Sequence, residues 1–287
     1  MTAAATVWVR GEPVPSIGLG TGQLTGGTCY RAVRCALDLG YRHLDTARLY
    51  GNEAEIGRAL RDSRVNRDEV FLTTKVWRTD VEPGRVAASV EASLRDLGVD
   101  RVDLVLVHWP VPEVPIAVTM AALARARAAG RTRYVGTSNF PPALVREATR
   151  YAPVFCNQVE YHPLLAQDAV LAAADELDHL VTAYSPIAQG AVATDPVIAR
   201  VAEAHGRSAT QVALRWLVQQ PRVAAVPRTG RPDRLAANLA VFDFALSDDE
   251  MKEIDERARS RRLRLSDPDH APGWHDGDGA DDREDVQ

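Results

Sequence analysis

The sequence predicts an α/β fold, a closed (β/α)8 barrel of the TIM type behind a small N-terminal β-hairpin. Three observations carry that expectation. Short runs rich in β-branched residues alternate, eight times, with stretches whose apolar residues recur at the three- and four-residue spacing of a helix face. No linker rich in Pro or in Gly/Ser interrupts residues 1–265, so they read as one domain. The length of 287 residues suits such a barrel, which typically takes about 250.

The elements follow in chain order. Segments 6–10 and 12–15 flank Gly11, the pattern of two short strands on a tight turn. Barrel strands are expected at 17–20, 42–45, 70–76, 102–107, 133–137, 154–159, 180–184 and 223–226. Val86, Val90, Leu94 and Leu97 mark one face of the helix after the third of these. Ser208-Ala209-Thr210-Gln211 and Ser247-Asp248-Asp249-Glu250 are capping-box starts for two later helices. An open doubly wound sheet is the rival architecture, and it would usually place Gly-x-Gly-x-x-Gly after its first strand. Here Gln23 takes the third glycine position of Gly18-Leu19-Gly20-Thr21-Gly22-Gln23, so that fingerprint fails. Any nucleotide must be held another way.

Composition narrows the class. With 46% hydrophobic and 25% charged residues the chain reads as globular. It has no bilayer-length apolar run and no basic leader with an apolar core, so neither secretion nor membrane spanning is expected. Three cysteines, Cys29, Cys35 and Cys156, show no Cys-x-x-Cys spacing, which fits a reducing cytoplasm without disulfides or a thiolate metal site. The net charge of −5 lies in residues 266–287, which carry −7 and are expected as an acidic, flexible tail. No basic stripe suggests nucleic acid. A metal-dependent barrel hydrolase lacks its ligand set, since only His270 and His275 stand close together.

Of the 34 cationic residues, 32 are arginine and two are lysine, Lys75 and Lys252. Lys252 lies in Asp249-Glu250-Met251-Lys252-Glu253, where a solvated helix face explains it. Lys75 ends the run Val70-Phe71-Leu72-Thr73-Thr74, a poor place for a surface cation. In a parallel barrel, catalytic side chains stand at the C-terminal strand ends and in the loops that follow. Those positions hold Asp45, Tyr50, Lys75 and His108. Singly, Asp45 could cap a turn, Tyr50 could be a loop aromatic and His108 a core histidine. Together they suit proton donation to a carbonyl. A free tyrosine has a pKa of about 10, and a nearby ammonium lowers it while a carboxylate holds the lysine. A histidine can donate to the carbonyl oxygen as charge develops there. Arginine, with its fork geometry, would replace that lysine poorly.

At this point the chain resembles the aldo-keto reductases. The resemblance rests on Gly40-Tyr41-Arg42-His43-Leu44-Asp45-Thr46-Ala47, Tyr50-Gly51-Asn52-Glu53, Thr73-Thr74-Lys75-Val76-Trp77, His108-Trp109-Pro110 and Gly136-Thr137-Ser138-Asn139-Phe140. Asn157-Gln158-Val159-Glu160 and Val226-Pro227-Arg228-Thr229 extend it. It implies NADPH bound in extended form, with Asp45, Tyr50, Lys75 and His108 as the catalytic tetrad. It further implies Ser138, Asn139 and Gln158 at the nicotinamide carboxamide and Tyr184 stacked on the ring. Gly20, Thr21, Ser185, Pro186, Ile187, Gln189 and Gly190 would line the cofactor groove. Arg228, Thr229, Arg234 and Asn238 would meet the adenosine phosphate, with Arg228 in place of the usual lysine and Ala237 where glutamate is common. Within the family the likeness is to bacterial 2,5-diketo-D-gluconate reductases, on Val241-Phe242-Asp243-Phe244-Ala245-Leu246, the short segment after Pro110, and Ala271-Pro272-Gly273-Trp274. An open substrate pocket lined by Trp77 and Trp109 is expected, widened at Gly22, where many relatives carry an aromatic residue. The function implied is NADPH-dependent reduction of aldehydes, small ketones or keto-acids by a monomer. The alternative is a non-catalytic NADPH-binding sensor or regulatory subunit.

Overall fold

The computed structural model describes residues 6–274. Strands β1 (Thr6–Val9) and β2 (Glu12–Pro15) pair antiparallel, with Val9 opposite Glu12. Arg10 and Gly11 between them have φ of 52° and 76°, the left-handed pair that a two-residue hairpin of matching twist requires. The hairpin is where the sequence predicts it.

Eight parallel strands follow: β3 (Leu19–Gly20), β4 (His43–Asp45), β5 (Phe71–Val76), β6 (Val102–Val107), β7 (Thr132–Ser138), β8 (Val154–Glu160), β9 (Leu180–Tyr184) and β10 (Val223–Ala225). Helices α1 (Gly26–Leu39), α2 (Glu53–Asp62), α3 (Pro83–Leu97), α4 (Ile116–Ala128), α5 (Pro142–Thr149) and α6 (Asp168–Leu177) alternate with them. Two helices, α7 (Pro196–His205) and α8 (Ala209–Gln219), lie between β9 and β10, and α9 (Pro232–Leu239) and α10 (Asp248–Arg261) close the order. Neighbours in the sheet run from β3 to β10 in chain order. A seam joins the ends: Gly18 N–H donates to Ala225 O (2.9 Å), Ala225 N–H to Ser16 O (2.8 Å) and Gly20 N–H to Pro227 O (3.1 Å). A Cβ on Gly20 would stand 2.6 Å from Val226 O, so the approach across the seam needs glycine there. The predicted (β/α)8 barrel is the observed architecture.

Strand alternation sorts the side chains. Leu72, Val76, Val105 and Val107 pack outward among the helices, while Phe71, Leu104, Leu106 and Leu180 fill the interior with Val9 and Val14 of the hairpin. Each such burial contributes about 1.5–3 kcal/mol. Helix α3 buries the predicted face of Val86, Val90, Leu94 and Leu97. Both predicted capping boxes form, at Ser208 and Ser247. Toward the C-terminal strand ends the interior turns polar, with Asp45, Lys75, Ser138 and Gln158 all buried. That switch along the barrel axis locates the site.

Residues 266–274, the first part of the expected acidic tail, make contacts with the barrel. Ser266 N–H donates to Glu160 Oε2 (2.8 Å), and the Trp274 indole stands edge-on to Trp109 (6.3 Å). The tail's acidic composition does not oppose this, because the anchors are a backbone N–H and apolar rings. His275 and the residues after it lie outside the described residues. No helix among the described residues is long and apolar enough to cross a membrane.

Candidate active site

Asp45 ends β4, and its Oδ1 accepts from Lys75 Nζ at 2.6 Å, with both side chains buried. Lys75 also donates to Thr46 O (2.8 Å), and its ammonium lies 5.2 Å from the Tyr50 ring centroid. Burial opposes the lysine's charge, but Asp45 and Tyr50 outweigh it and hold the ammonium above its ordinary pKa. Burial also dominates at Tyr50 and raises its pKa; the opposing pull of Lys75 is the smaller effect. The expected pull of the ammonium on the phenol's pKa is present, and desolvation exceeds it, so the net direction is upward. His108 follows β6, its N–H donating to Val76 O (3.0 Å), and its ring meets Tyr50 edge-on at 5.8 Å. Burial first, then Lys75, holds His108 well below its ordinary value, so the ring is neutral. Its Nδ1 is buried without a partner, which favours the tautomer with the proton on Nε2.

The tyrosine loop is fixed by polar residues, Asn52 and Glu53, that the sequence places in a motif but to which it assigns no role. Tyr50 ends a 3-10 turn, Arg48–Tyr50. Just beyond it, fully buried Asn52 donates to Thr21 O and Leu24 O (both 2.8 Å) and accepts from Thr46 Oγ1 (2.9 Å). Glu53, also buried, accepts from Thr74 Oγ1 (2.7 Å) and Arg48 Nη1 (3.0 Å). These bonds tie the loop to the segments that follow β3 and β4 and to β5 itself. Side-chain type alone gives no signal of it, because Asn and Glu after a turn are ordinary solvent residues.

A cavity of about 740 Å³ opens over this floor, within the range of about 300–1,000 Å³ usual for small-molecule sites. Asp45, Tyr50, His108 and Trp109 border one end, beside Gly20 and Gly22. Ser138, Asn139, Gln158 and Tyr184 form its back, and the loop with Ser185, Pro186, Ile187, Gln189 and Gly190 leads to Arg228 and Arg234. Five predicted site residues are not on that wall. Lys75 lies beneath the floor. Thr21 is buried and donates to Asp45 O (2.9 Å), and Thr229 Oγ1 accepts from Arg231 N–H (3.1 Å). Asn238 is buried against Tyr41. Trp77 stands behind His108, edge-on at 5.1 Å. A Cβ on Gly22 would meet the Tyr50 ring at 3.5 Å, an ordinary van der Waals contact.

The back wall is already organised. Gln158 Nε2 donates to Asp45 Oδ2 (2.7 Å), Tyr184 Oη to Asn139 Oδ1 (2.7 Å), and Asn139 Nδ2 to His108 O (3.0 Å). Asn139, Ser185, Ala188 and Gln189 hold positive φ of 62°, 47°, 47° and 52°. Such left-handed conformations cost non-glycine residues on the order of 1–3 kcal/mol and cluster at functional clefts. Among the described residues, no group of His, Cys, Asp and Glu could hold a metal ion.

A sequence model of the Aldo/keto reductase family matches residues 16–259. An aldo-keto reductase of Mycolicibacterium smegmatis is 42% identical over 257 residues, covering 88% of this chain and 93% of that protein. Morphine 6-dehydrogenase of Pseudomonas putida is 40% identical over 264 residues, covering 86% and 88%. A crystal structure provisionally assigned as a 2,5-diketo-D-gluconic acid reductase B superposes with a TM-score of 0.91 at 44% identity, over 94% of this chain and 97% of its own.

Proposed function

Because the chain belongs to the aldo/keto reductase family of oxidoreductases, we propose that it uses NADPH to reduce aldehydes and small ketones or keto-acids, in the manner of the 2,5-diketo-D-gluconate reductases. The observation that carries this reading is the buried Asp45–Lys75 pair under Tyr50 at the floor of an open cleft. The donor set suits the cofactor: amide and hydroxyl groups stand at the catalytic end, and arginines at the far end. Ser138, Asn139 and Gln158 would hold the carboxamide, and Tyr184 the ring face. Gly20, Thr21 and the Ser185 to Gly190 loop would border the dinucleotide. Arg228, Thr229, Arg234 and Asn238 would serve the adenosine phosphate.

A bound reduced nicotinamide supplies a hydride to the carbonyl carbon. The protein's own part is the proton. Burial keeps the Tyr50 phenol protonated at neutral pH, ready to donate. Neutral His108 offers an N–H to the carbonyl oxygen and fixes its direction. As charge builds on that oxygen, Tyr50 Oη gives up its proton, and Lys75 stabilises the phenolate left behind. Asp45 keeps the ammonium in place at 2.6 Å.

The test is NADPH oxidation by the purified protein with methylglyoxal, an aromatic aldehyde and 2,5-diketo-D-gluconate. Turnover of any of them supports the reading, and no oxidation with any overturns it. If the sugar acid ranks far below the aldehydes, the likeness to its reductases does not extend to substrate. Tyr50→Phe should keep cofactor binding and lower kcat by at least about 10²-fold. A variant above a tenth of wild-type kcat, with chemistry rate-limiting, would remove Tyr50 from the role of acid.

A further inference from the structure

Glu160, at the end of β8, is fully buried, yet it has no part in the Asp45–Lys75 pair. Its Oε1 accepts from Leu265 N–H (2.8 Å) and from His162 Nε2 (3.1 Å), and its Oε2 accepts from Ser266 N–H (2.8 Å). His162 is equally buried, and its Nδ1 accepts from Leu164 N–H (3.3 Å), which leaves Nε2 to face Glu160. A buried carboxylate is costly unless donors answer it. Two of the three donors here belong to the backbone of one segment.

That segment runs on from α10 as a strap without helix or strand. Ser266 reaches the cleft wall. The His270 ring stands edge-on to Trp109 (5.2 Å) and Trp77 (5.9 Å), and the Arg264 guanidinium lies 3.9 Å over the Trp274 ring. The strap is therefore the outer layer of aromatic side chains beyond His108.

We propose that Glu160 is a positioning residue that sets the substrate range of the cleft, by clamping Leu265 and Ser266 so that His270 stands over Trp109. This rests on the carbonyl-reductase reading. Substrates large enough to reach the tryptophans depend on the clamp, and small ones do not. Glu160→Gln is nearly isosteric but turns one acceptor into a donor facing an N–H. The loss of a hydrogen bond to a charged group, read as fold-change, is about tenfold or more.

Glu160→Gln should therefore raise KM for an aromatic aldehyde about tenfold while kcat and KM for methylglyoxal stay near wild type. His270→Ala should raise the aromatic KM as well, and adding Glu160→Gln to it should cost little more, because both act through one strap. Trypsin should cut after Arg264 faster in Glu160→Gln than in wild type at equal thermal stability. Equal losses for both aldehydes, multiplying costs in the double variant, or unchanged cleavage would overturn the clamp. If Glu160→Gln does not fold, Glu160→Asp keeps the charge one methylene shorter and should show the same KM split on a smaller scale; no split would overturn it equally. Failure of the wild type to oxidise NADPH with any carbonyl would defeat the functional reading, while the cleavage comparison would still decide the clamp.

Discussion

At the scale of single residues, an ammonium inside a barrel persists only where its charge is answered at once. Lys75 meets Asp45 Oδ1 at 2.6 Å and Thr46 O at 2.8 Å, a space shaped for a point charge. Lys75→Arg keeps the charge but brings a planar fork into that space, so kcat should fall about 10²-fold or more. Lys252 is exposed on α10, and Lys252→Arg should change kcat less than twofold, as steady-state assays of both variants would show. Equal tolerance of the two would mean that Lys75 serves only as a filler of the core. Lys75 is legible in the sequence because a chain nearly free of lysine keeps one in an apolar run. Asn52, Glu53 and Glu160 are not legible there as buried supports. Their chemistry is the same whether a turn faces water or the barrel, and only the fold decides which.

At the scale of elements, the strands expected at 102–107 and 180–184 have those bounds in the structure, and the others shift by a residue or two at their ends. The shifts have a physical source: Ile17 pairs with Ala225 as a single bridge, which leaves Leu19–Gly20 as the strand proper. In residues 266–274 acidity argues for solvation, while the rings of His270 and Trp274 stand against Trp109. The turn into α9 gathers three arginines. Arg231 is engaged by Asp233 at 2.7 Å, while Arg228 and Arg234 border the cleft. A 2′-phosphate is all that separates NADPH from NADH, so its recognition should depend on the latter two. Arg234→Ala should weaken NADPH binding about ten- to a hundredfold at low salt and NADH binding far less. Fluorescence titration with both cofactors measures this, and equal losses would assign Arg234 to the adenine or the fold.

For the whole molecule, burial of uncharged histidines ties stability to pH. Burial lowers His43 and His108, and pushes His179 down to about 4. Below the ordinary value near 6.5 the unfolded chain takes up protons that these rings refuse, so acid favours unfolding. Stability is full above that value and should fall as the pH drops below it; His179 alone contributes about 1.4 kcal/mol per pH unit between 6.5 and about 4, and His43 and His108 act in the same direction. Thermal melts should show the midpoint dropping through this window, and His179→Gln should make the drop shallower; a flat profile would exclude the linkage. A second consequence follows from the seam. β3 and β10 are two and three residues long and, with β4, the shortest staves of the hoop, and the cleft runs across their junction, from Gly20 on one side to Arg228 on the other. Whatever fills the cleft therefore straddles the joint and acts as a rivet. Amide protons of Gly18, Gly20 and Ala225 should exchange with deuterated solvent sooner than those of β5 and β6, and should slow most when NADPH is added. The cofactor would then complete the ring that the chain alone closes least firmly.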